Sequence, residues 1–308
     1  MKNTHVKRPK PNTGRRRHLA MALAATLCSL ALAVPGRAQT FTQIDCPNSS
    51  QTEALGTNDL GTIVGYCEDQ KLHGSGFLLR RGAFSIIDAP GATQTTAWDV
   101  NNLGAVVGDY LDEDGLYHGF LLRDGRFTTV EFPGADQTSA QGLDDFGRIV
   151  GIYIDDDGVF KAFLYSGGRY QVIEHPESVF TSAEGINVLR QIVGTWDSAD
   201  GVTRGYLLKK GRFTPIEYPG SSFTTANKIN VLGQIVGTWG ATWAEDPESS
   251  HGYVLTRRGF ESIDYPGANV TIANDINNRG HIVGSFNDEA GVTHGYLRTR
   301  DGHDKDDD

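Results

Sequence analysis

The chain has 308 residues, 38 of them glycine, and carries 38 Asp and Glu against 28 Lys and Arg, a formal net charge of −10. Eight of the 28 Lys and Arg lie before residue 38, and after it basic residues are never more than two in a row. We therefore expect neither nucleic acid nor an anionic membrane surface as a partner.

The N-terminus has the pattern of a secretory signal peptide. Seven Lys and Arg and no acid lie in residues 1–18, and the apolar run LAMALAATLCSLALAV follows at 19–34. This order predicts a signal peptide over residues 1–38; the alternative is an uncleaved anchor, for which the run is short. Cleavage removes eight basic residues and leaves 20 Lys and Arg against 38 acids, a net charge of −18. We expect a secreted, periplasmic or extracellular protein with no membrane span after cleavage.

The rest of the sequence is a sixfold repeat. One copy reads TTAWDVNNLGAVVGDYLDEDGLYHGFLLRDGRFTTVEFPG, and copies recur every 43 residues, with four extra residues in the fifth. Three positions hold one residue type in every copy. They are Thr52, Thr95, Thr138, Thr181, Thr224 and Thr271; Ala54, Ala97, Ala140, Ala183, Ala226 and Ala273; and Gly65, Gly108, Gly151, Gly194, Gly237 and Gly284.

A period in the low forties suits either propeller blades or paired-helix solenoids. Each copy holds four short runs, TTAWDV, AVVGDYL, YHGFLL and RFTTVEF, separated by the turn signals NNLG, DEDG and RDG. No apolar pattern at helical spacing is longer than one turn. We therefore predict an all-β, six-bladed β-propeller over residues 39–298, with four antiparallel strands per blade, named A to D from the innermost outward.

The first and last copies are incomplete in complementary ways. FTQID at 41–45 matches strand D of the other copies, while the last copy stops after strand C. We predict that the N-terminal strand completes the last blade, because an unclosed ring would leave a free sheet edge. The register of the C–D hairpins sets a base opposite an acid in four blades, and closure supplies a fifth such pair. The pairs are His118–Glu131, Lys161–Glu174, Arg204–Glu217, His251–Asp264 and, across the closure, His294–Asp45.

The repeat resembles the HAF-type repeats of secreted bacterial proteins. The resemblance rests on HGF (118–120), KAF (161–163), RGY (204–206) and HGY (251–253 and 294–296), with INNRGHIVG and FESIDYPGA. It covers nearly all of residues 41–298, although the first copy reads SGF at 75–77 and the fourth has Arg190 where glycine is usual. The resemblance implies an extracellular bacterial protein and implies no particular activity.

Two cysteines remain after the predicted cleavage. Cys46 ends the N-terminal strand D, and Cys67 ends strand B of the first copy. Strands B and D run in the same direction, so both ends lie on one face at the junction of the last and first blades. In an exported chain this pair predicts a disulfide, with two buried free thiols as the alternative.

Candidate ligand-binding residues occupy a strand A position that varies between copies, directly after the repeated alanine. This position would face the central channel, where propellers commonly bind ligands. It holds Leu55, Trp98, Gln141, Glu184, Asn227 and Asn274, of which the last five are polar or aromatic. Trp243, in the four-residue insertion of the fifth copy, is a further candidate because loop insertions on rigid scaffolds tend to carry function. A surface that simply tolerates variation is the alternative.

No catalytic motif and no resident cofactor are predicted. The acidic B–C turns DEDG (112–115), DDDG (155–158), DSADG (197–201) and NDEAG (287–291) suggest calcium, but none has a full twelve-residue loop, and Asp-Gly is ordinary hairpin chemistry. The repeated threonines are expected to be structural.

The sequence thus predicts a monomeric binding or interaction module for a carbohydrate, an envelope component or a protein, followed by a disordered acidic tail at 299–308. One alternative is a hydrolase or lyase with its site at the channel mouth. Its candidate groups, Asp99, Glu184, Lys228 and Asp275, are scattered over four copies. A purely structural surface protein is the other alternative.

Overall fold

A computed structural model of the chain describes residues 39–240 and 250–300. The predicted signal peptide, the insertion with Trp243, and all but the first two residues of the predicted tail lie outside the described residues. The described part is a six-bladed β-propeller, as predicted, with six antiparallel sheets. None of its residues forms a helix long and apolar enough to cross a membrane.

The first three blades each contain four strands in sequence order A to D. Blade 1 comprises β2 (Ser49–Thr57), β3 (Ile63–Asp69), β4 (Gly74–Arg80) and β5 (Ala83–Ile87). Blade 2 comprises β6 (Gln94–Val100), β7 (Val106–Leu111), β8 (Tyr117–Arg123) and β9 (Arg126–Val130). Blade 3 comprises β10 (Gln137–Leu143), β11 (Ile149–Ile154), β12 (Phe160–Ser166) and β13 (Arg169–Ile173).

In blades 4 and 5 strand A is divided into two short pieces, and in blade 6 strand D comes from the N-terminus. Blade 4 comprises β14 (Ser178–Thr181) with β15 (Gly185–Ile186), β16 (Ile192–Ser198), β17 (Thr203–Lys209) and β18 (Arg212–Ile216). Blade 5 comprises β19 (Phe223–Thr224) with β20 (Lys228–Ile229), β21 (Ile235–Gly240), β22 (Ser250–Thr256) and β23 (Gly259–Ile263). Blade 6 comprises β24 (Val270–Ile276), β25 (Ile282–Asn287), β26 (Thr293–Arg300) and β1 (Gln39–Ile44).

The antiparallel order gives the disc two chemically different faces. The A–B turns of all six blades and the C–D turns of blades 1–5 lie at one end of the strands, which we call the A–B face. The B–C turns and the connections between blades lie at the other end, which we call the B–C face. The last residues of the six A strands meet around the central channel on the A–B face.

Side-chain hydrogen bonds join each A–B turn to the next around the whole ring. The Nδ2 of Asn58 donates to Asn101 O at 3.0 Å, and that of Asn101 donates to Asp144 O at 3.1 Å. The series continues on the far side through Asn187, Asn230 and Asn277, the last of which returns to Asn58 O. Each of these asparagines also accepts backbone N–H groups of its own turn through Oδ1, so one side chain both forms the turn and links two blades.

The repeated glycines make room for the aromatic residue of the HGF-type triplets. Gly108 lies opposite Phe120 in the β7–β8 pairing, and a Cβ there would fall 2.0 Å from Thr96 O. Glycine is therefore required by the close approach of the neighbouring strand and ring. The equivalent aromatic side chains of all six blades, Phe77, Phe120, Phe163, Tyr206, Tyr253 and Tyr296, are almost completely buried.

The repeated threonines are structural, as expected. Thr95 Oγ1 accepts the backbone N–H of Ala89 at 3.0 Å, which fixes the connection between blades 1 and 2. The same bond, of 2.9–3.2 Å, recurs at every other junction, through Thr52, Thr138, Thr181, Thr224 and Thr271. The hydroxyls are thus used within the scaffold.

The ring is closed as predicted. Strand β1 pairs antiparallel with β26, from Gln39 opposite Arg300 to Ile44 opposite Gly295. His294 Nδ1 lies 2.7 Å from Asp45 Oδ1. The equivalent pairs of blades 2, 4 and 5 also form: His118–Glu131, Arg204–Glu217 and His251–Asp264. In blade 3 the register is as predicted, with Ala162 opposite Ile173, but the Lys161 ammonium pairs with Asp155 of its own B–C turn, Nζ–Oδ2 2.7 Å, instead of with Glu174.

A disulfide joins Cys46 to Cys67 and so links blade 6 to blade 1, as predicted. At four of the other five junctions the same two positions hold stacked rings. Phe132 stacks on Tyr153 with centroids 3.7 Å apart, and Tyr265 stacks on Phe286 at 3.5 Å. A covalent bond therefore replaces an aromatic stack at the junction where the two ends of the chain meet.

Candidate functional site

A cavity of about 430 Å³ lies toward the B–C face, among blades 1, 2 and 3. Its inner wall comes from the A strands β2, β6 and β10, and its outer wall from the ends of the B strands β3, β7 and β11. The first residues of strands β8 and β12, Tyr117 and Phe160, form its exposed rim. A volume of this order accommodates a small ligand.

Five aromatic side chains line this cavity. Trp98 and Tyr66 are half-buried in its walls, Tyr153 is buried, and Tyr117 and Phe160 are about 40% exposed. Aromatic rings present flat apolar faces while the Trp and Tyr edges keep a polar group. The cavity therefore offers apolar surfaces beside hydrogen-bonding groups.

Asp109 is the most constrained polar residue of the cavity. Its Oδ2 accepts hydrogen bonds from Trp98 Nε1 at 2.7 Å and from Ser139 Oγ at 2.5 Å. Burial raises the pKa of Asp109 to about 6, although the bonds from Ser139, Trp98 and Thr96 act in the opposite direction. Asp109 thus fixes the Trp98 indole in place and joins blades 2 and 3 through Ser139.

Glu53 and Tyr66 add polar groups from blade 1. The two residues lie opposite each other in the β2–β3 pairing. Burial raises the pKa of the Glu53 carboxyl. The Tyr66 hydroxyl donates to Glu68 Oε2 at 3.2 Å, and burial followed by the charge of Glu68 raises the pKa of Tyr66 to about 12. Tyr66 therefore stays neutral at physiological pH and acts as a donor.

Three residues of the variable strand A position line the cavity: Leu55, Trp98 and Gln141. In blades 1, 2, 3 and 6 this position is the extra residue of a β-bulge, directly after the repeated alanine. A bulged residue is released from the strand ladder, and its side chain is re-aimed. Gln141 lines the cavity, and its buried Oε1 has no hydrogen-bond partner among the described residues.

The remaining predicted residues lie elsewhere. Asn227 Nδ2 donates to Ala273 O and Asn274 Nδ2 donates to Ala54 O, both at 3.0 Å, so these two amides join neighbouring blades. Glu184 Oε1 accepts from Ser182 Oγ at 2.9 Å, and burial raises its pKa. None of these three lines the cavity of blades 1–3. Trp243 lies outside the described residues.

Three of the residues considered for catalysis come from three different copies, as the sequence showed, but they meet in the channel. Lys228 Nζ lies 3.0 Å from Asp99 Oδ2 and donates to Gln141 O at 2.6 Å. Asp275 accepts the backbone N–H of Thr57 at 2.6 Å, and burial together with the Asp99 charge raises its pKa. The closed ring brings together residues that are far apart in sequence. All three are buried and bonded internally, so they tie blades across the channel.

The acidic B–C turns use their carboxylates within the hairpins. Asp112 Oδ1 accepts the N–H groups of Asp114 and Leu116, and Asp155 and Asp288 make the same pair of bonds in blades 3 and 6. Within residues 39–240 and 250–300, no group of three or more His, Cys, Asp and Glu side chains is arranged to hold a metal ion. The carboxylates that suggested calcium have a structural use in these turns.

Sequence reasoning missed Glu53, Tyr66 and Asp109. Their signal was present in two further repeat positions. The strand B position next to the repeated glycine holds Tyr66 and Asp109 in blades 1 and 2, but Ile152, Thr195, Thr238 and Ser285 in the others. The strand A position before the repeated alanine holds Glu53 in blade 1 and uncharged residues elsewhere. A comparison of each position across the six aligned copies would have shown that blades 1 and 2 carry the unusual polar residues.

Comparison with solved structures agrees with the fold. A mutant of AofleA from Arthrobotrys oligospora is 12% identical, with 87% of this chain and 88% of that chain covered and a TM-score of 0.53. A putative TolB from Agrobacterium tumefaciens is 14% identical over 80% of this chain and 89% of its own, with a TM-score of 0.54. The fungal lectin of Aleuria aurantia, described as a six-bladed β-propeller with a novel fucose recognition mode, is 10% identical over 83% and 93%, with a TM-score of 0.50.

Identities this low establish similarity of fold alone. No protein-family model matches the chain, and the search of curated proteins gave no match.

Proposed function

We propose that this protein is a carbohydrate-binding propeller module whose site is the cavity of blades 1–3. The observation that carries the proposal is a cavity lined by Trp98, whose indole is held by Asp109, and by the partly exposed rings of Tyr117 and Phe160. A sugar ring has apolar C–H faces and equatorial hydroxyls, so it needs flat aromatic surfaces beside donors and acceptors. Small-ligand sites in general combine apolar walls with a few placed polar groups.

Two further observations support the proposal. Structures similar in fold include a lectin of Aleuria aurantia in complex with Fucalpha1-6GlcNAc, which shows that a ring of this type can carry a sugar site. The Cys46–Cys67 disulfide suits an oxidising compartment, which agrees with the predicted signal peptide and with the resemblance to HAF-type extracellular repeats. We infer a site of action outside the cytoplasm, on glycans of an envelope or a matrix.

A glycan array followed by calorimetry tests the proposal. We expect binding by the wild type, and a loss of at least tenfold in affinity for Tyr117→Ala and Trp98→Ala. Tyr117 is exposed at the rim, so its removal leaves the core intact. Val179→Ala is the control. Val179 is exposed like Tyr117, but it lies in strand A of blade 4 and does not line the cavity. Absence of binding to any glycan by the wild type would favour a structural surface protein.

A hydrolase or lyase acting on the same class of ligand is the second candidate. It is favoured by one observation: Glu53 and Asp109 line one cavity, and burial raises the pKa of both carboxyls. Such groups are suited to donating a proton. Turnover of a polysaccharide or glycoside panel that is lost in Glu53→Gln, with glycan binding retained, would establish catalysis. Binding without turnover leaves the module as a lectin.

A further inference from the structure

The A–B face carries a ring of exposed apolar side chains. The tips of five A–B turns hold Leu60, Leu103, Phe146, Leu189 and Leu232, each between 61% and 75% exposed. The turns that carry them are linked from blade to blade around the channel by hydrogen bonds, so the five tips form a ring around its end. Exposed apolar groups gathered in one patch on a soluble protein generally mark an interaction surface.

Basic side chains surround this apolar ring. The C–D turns lie on the same face but farther from the axis, since C and D are the outer strands. Each of the first five C–D turns exposes at least one base, for example Arg81, Arg126, Arg169, Lys210 and Arg258. Of the 19 Lys and Arg among the described residues, 12 are exposed on the A–B face, and Asp124 is the one exposed acid of the described turns there.

The B–C face has the opposite charge. Of the described Lys and Arg, Lys71, Lys161 and Arg204 lie on it, and the latter two are in ion pairs. Its turns expose acids such as Glu113, Asp114 and Asp156. The expectation that no anionic surface is a partner rested on the absence of basic runs along the sequence, but in three dimensions the basic residues gather on one face. The repeat places one or two bases per copy at the same end of every blade, and the ring collects them on one face.

We propose that the A–B face docks on an anionic phospholipid bilayer. The five apolar tips would enter the interfacial region while the outer bases contact lipid phosphates, the arrangement by which peripheral proteins bind such membranes. A nucleic acid would satisfy the bases but has no apolar layer for the five tips. The acidic B–C face would be repelled by the bilayer, so the disc lies flat and presents the cavity of blades 1–3 away from the membrane.

Vesicle co-sedimentation tests the proposal, with the chain produced from Gln39 onward. This chain contains every described strand and lacks the apolar run at 19–34. We expect binding to phosphatidylcholine vesicles that contain phosphatidylglycerol and little binding to phosphatidylcholine alone. The double variant Leu103→Ser/Phe146→Ser and the double variant Lys209→Glu/Lys210→Glu should each lower the affinity about tenfold or more. A chain ending at Arg300 should bind more tightly, because the removed residues 301–308 include five aspartates.

Matched controls come from the opposite face. Leu72 is 77% exposed in a B–C turn, so Leu72→Ser and Lys71→Glu should leave vesicle binding unchanged. In a second measurement, Leu103→Trp should show a blue-shifted emission with anionic vesicles, and Leu72→Trp should not.

Three results would overturn the proposal. The first is failure of the wild type to bind anionic vesicles. The second is binding that the apolar variants do not weaken and that a DNA duplex matches, which would indicate a general polyanion surface. The third is concentration-dependent self-association, without vesicles, that the same variants abolish, which would indicate head-to-tail stacking of discs.

Discussion

Arg148 Nη2 donates to the carbonyl oxygen of Val188 at 2.9 Å and so completes the ring of hydrogen bonds between the A–B turns. Five blades make this link with an asparagine, but blade 3 has Asp144, whose carboxylate cannot donate. Arg148 binds the buried Asp144 carboxylate and reaches the next blade in its place. A change at one repeat position is thus compensated four residues later.

Removal of this arginine should be strongly destabilising, and a second change should rescue it. Arg148→Ala leaves the Asp144 carboxylate buried and unpaired, a loss of about 3–5 kcal/mol in the free energy of unfolding. Adding Asp144→Asn recreates the arrangement of blade 2, where Asn101 is followed four residues later by Ala105. Urea midpoints of both single variants and the double variant measure the effect. A double variant as unstable as Arg148→Ala would show that the arginine acts otherwise.

The disulfide at the closure should be replaceable by a stack of rings. Cys46→Ala/Cys67→Ala should lower the free energy of unfolding by roughly 3 kcal/mol, since a loop of 21 residues is released in the unfolded chain. Cys46→Phe/Cys67→Tyr imports the Phe132–Tyr153 pair of the next-but-one junction and should recover part of that loss. Thermal unfolding with and without reductant gives the comparison. Equal stability of the wild type in both conditions would contradict the prediction.

Deletion of residues 39–47 should remove far more stability than a terminal trim usually does. The deletion takes away β1, turns β26 into an exposed edge strand that pairs only with β25, and removes Cys46 and Asp45. We expect a large drop in melting temperature and increased aggregation. Deletion of residues 301–308 is the control, because it removes none of the 26 described strands. An unchanged melting temperature after the N-terminal deletion would refute closure by β1.

The architecture could be predicted from the sequence because every copy repeats the same pattern of turn residues, glycines and short strands. Turn residues set the hairpins, and glycine at position 108 and its counterparts allows neighbouring strands to approach closely. The unpaired FTQID segment can supply the strand D that the last copy lacks. The cavity could be predicted only in part. Leu55, Trp98 and Gln141 occupy one repeat position, but the cavity also needs strand B residues of different blades, and their convergence depends on how the blades pack.

The same limit applies to charge. Asp99 and Lys228 are 129 residues apart and still form an ion pair, because blades on different sides of the ring meet in the channel. The basic A–B face arises in the same way, from single residues at intervals of one repeat. A search for charged residues that are close in sequence detects neither the Asp99–Lys228 pair nor the basic face. An alignment of the six repeat copies, with each turn assigned to a face, would detect the basic face.

The closure should weaken as the pH rises. Burial lowers the pKa of His294, but the hydrogen bonds and charges of Asp45 and Asp288 outweigh it and raise the pKa above 6.5. Because the pKa of His294 is higher in the folded state than in the unfolded chain, its protonation stabilises the folded protein fully below pH 6.5. This stabilisation is lost as pH rises through the pKa of His294 in the folded state. The stability difference between wild type and His294→Gln should therefore shrink above pH 6.5, and Asp45→Asn should remove most of the effect. A difference that is constant from pH 5.5 to 8 would contradict this assignment.

The effect of Asp109 on the pH dependence of stability should be opposite in sign to that of the surface carboxylates. Its folded pKa of about 6 exceeds the ordinary 3.8, so the folded protein keeps a proton that the unfolded chain releases between those values. The contribution of Asp109 to the free energy of unfolding therefore falls as pH rises, by about 2 kcal/mol between pH 4 and pH 6. In urea unfolding, the free energy of unfolding of Asp109→Asn should rise relative to that of the wild type over that interval. Asp69→Asn is the control, because backbone hydrogen bonds from His73 and Lys71 lower the pKa of Asp69. Its contribution to stability develops below about pH 4, so the curve of this variant should run nearly parallel to that of the wild type from pH 4 to 6. Parallel curves for wild type and Asp109→Asn would mean that this carboxyl is already ionised at pH 4 and that water reaches it in the cavity.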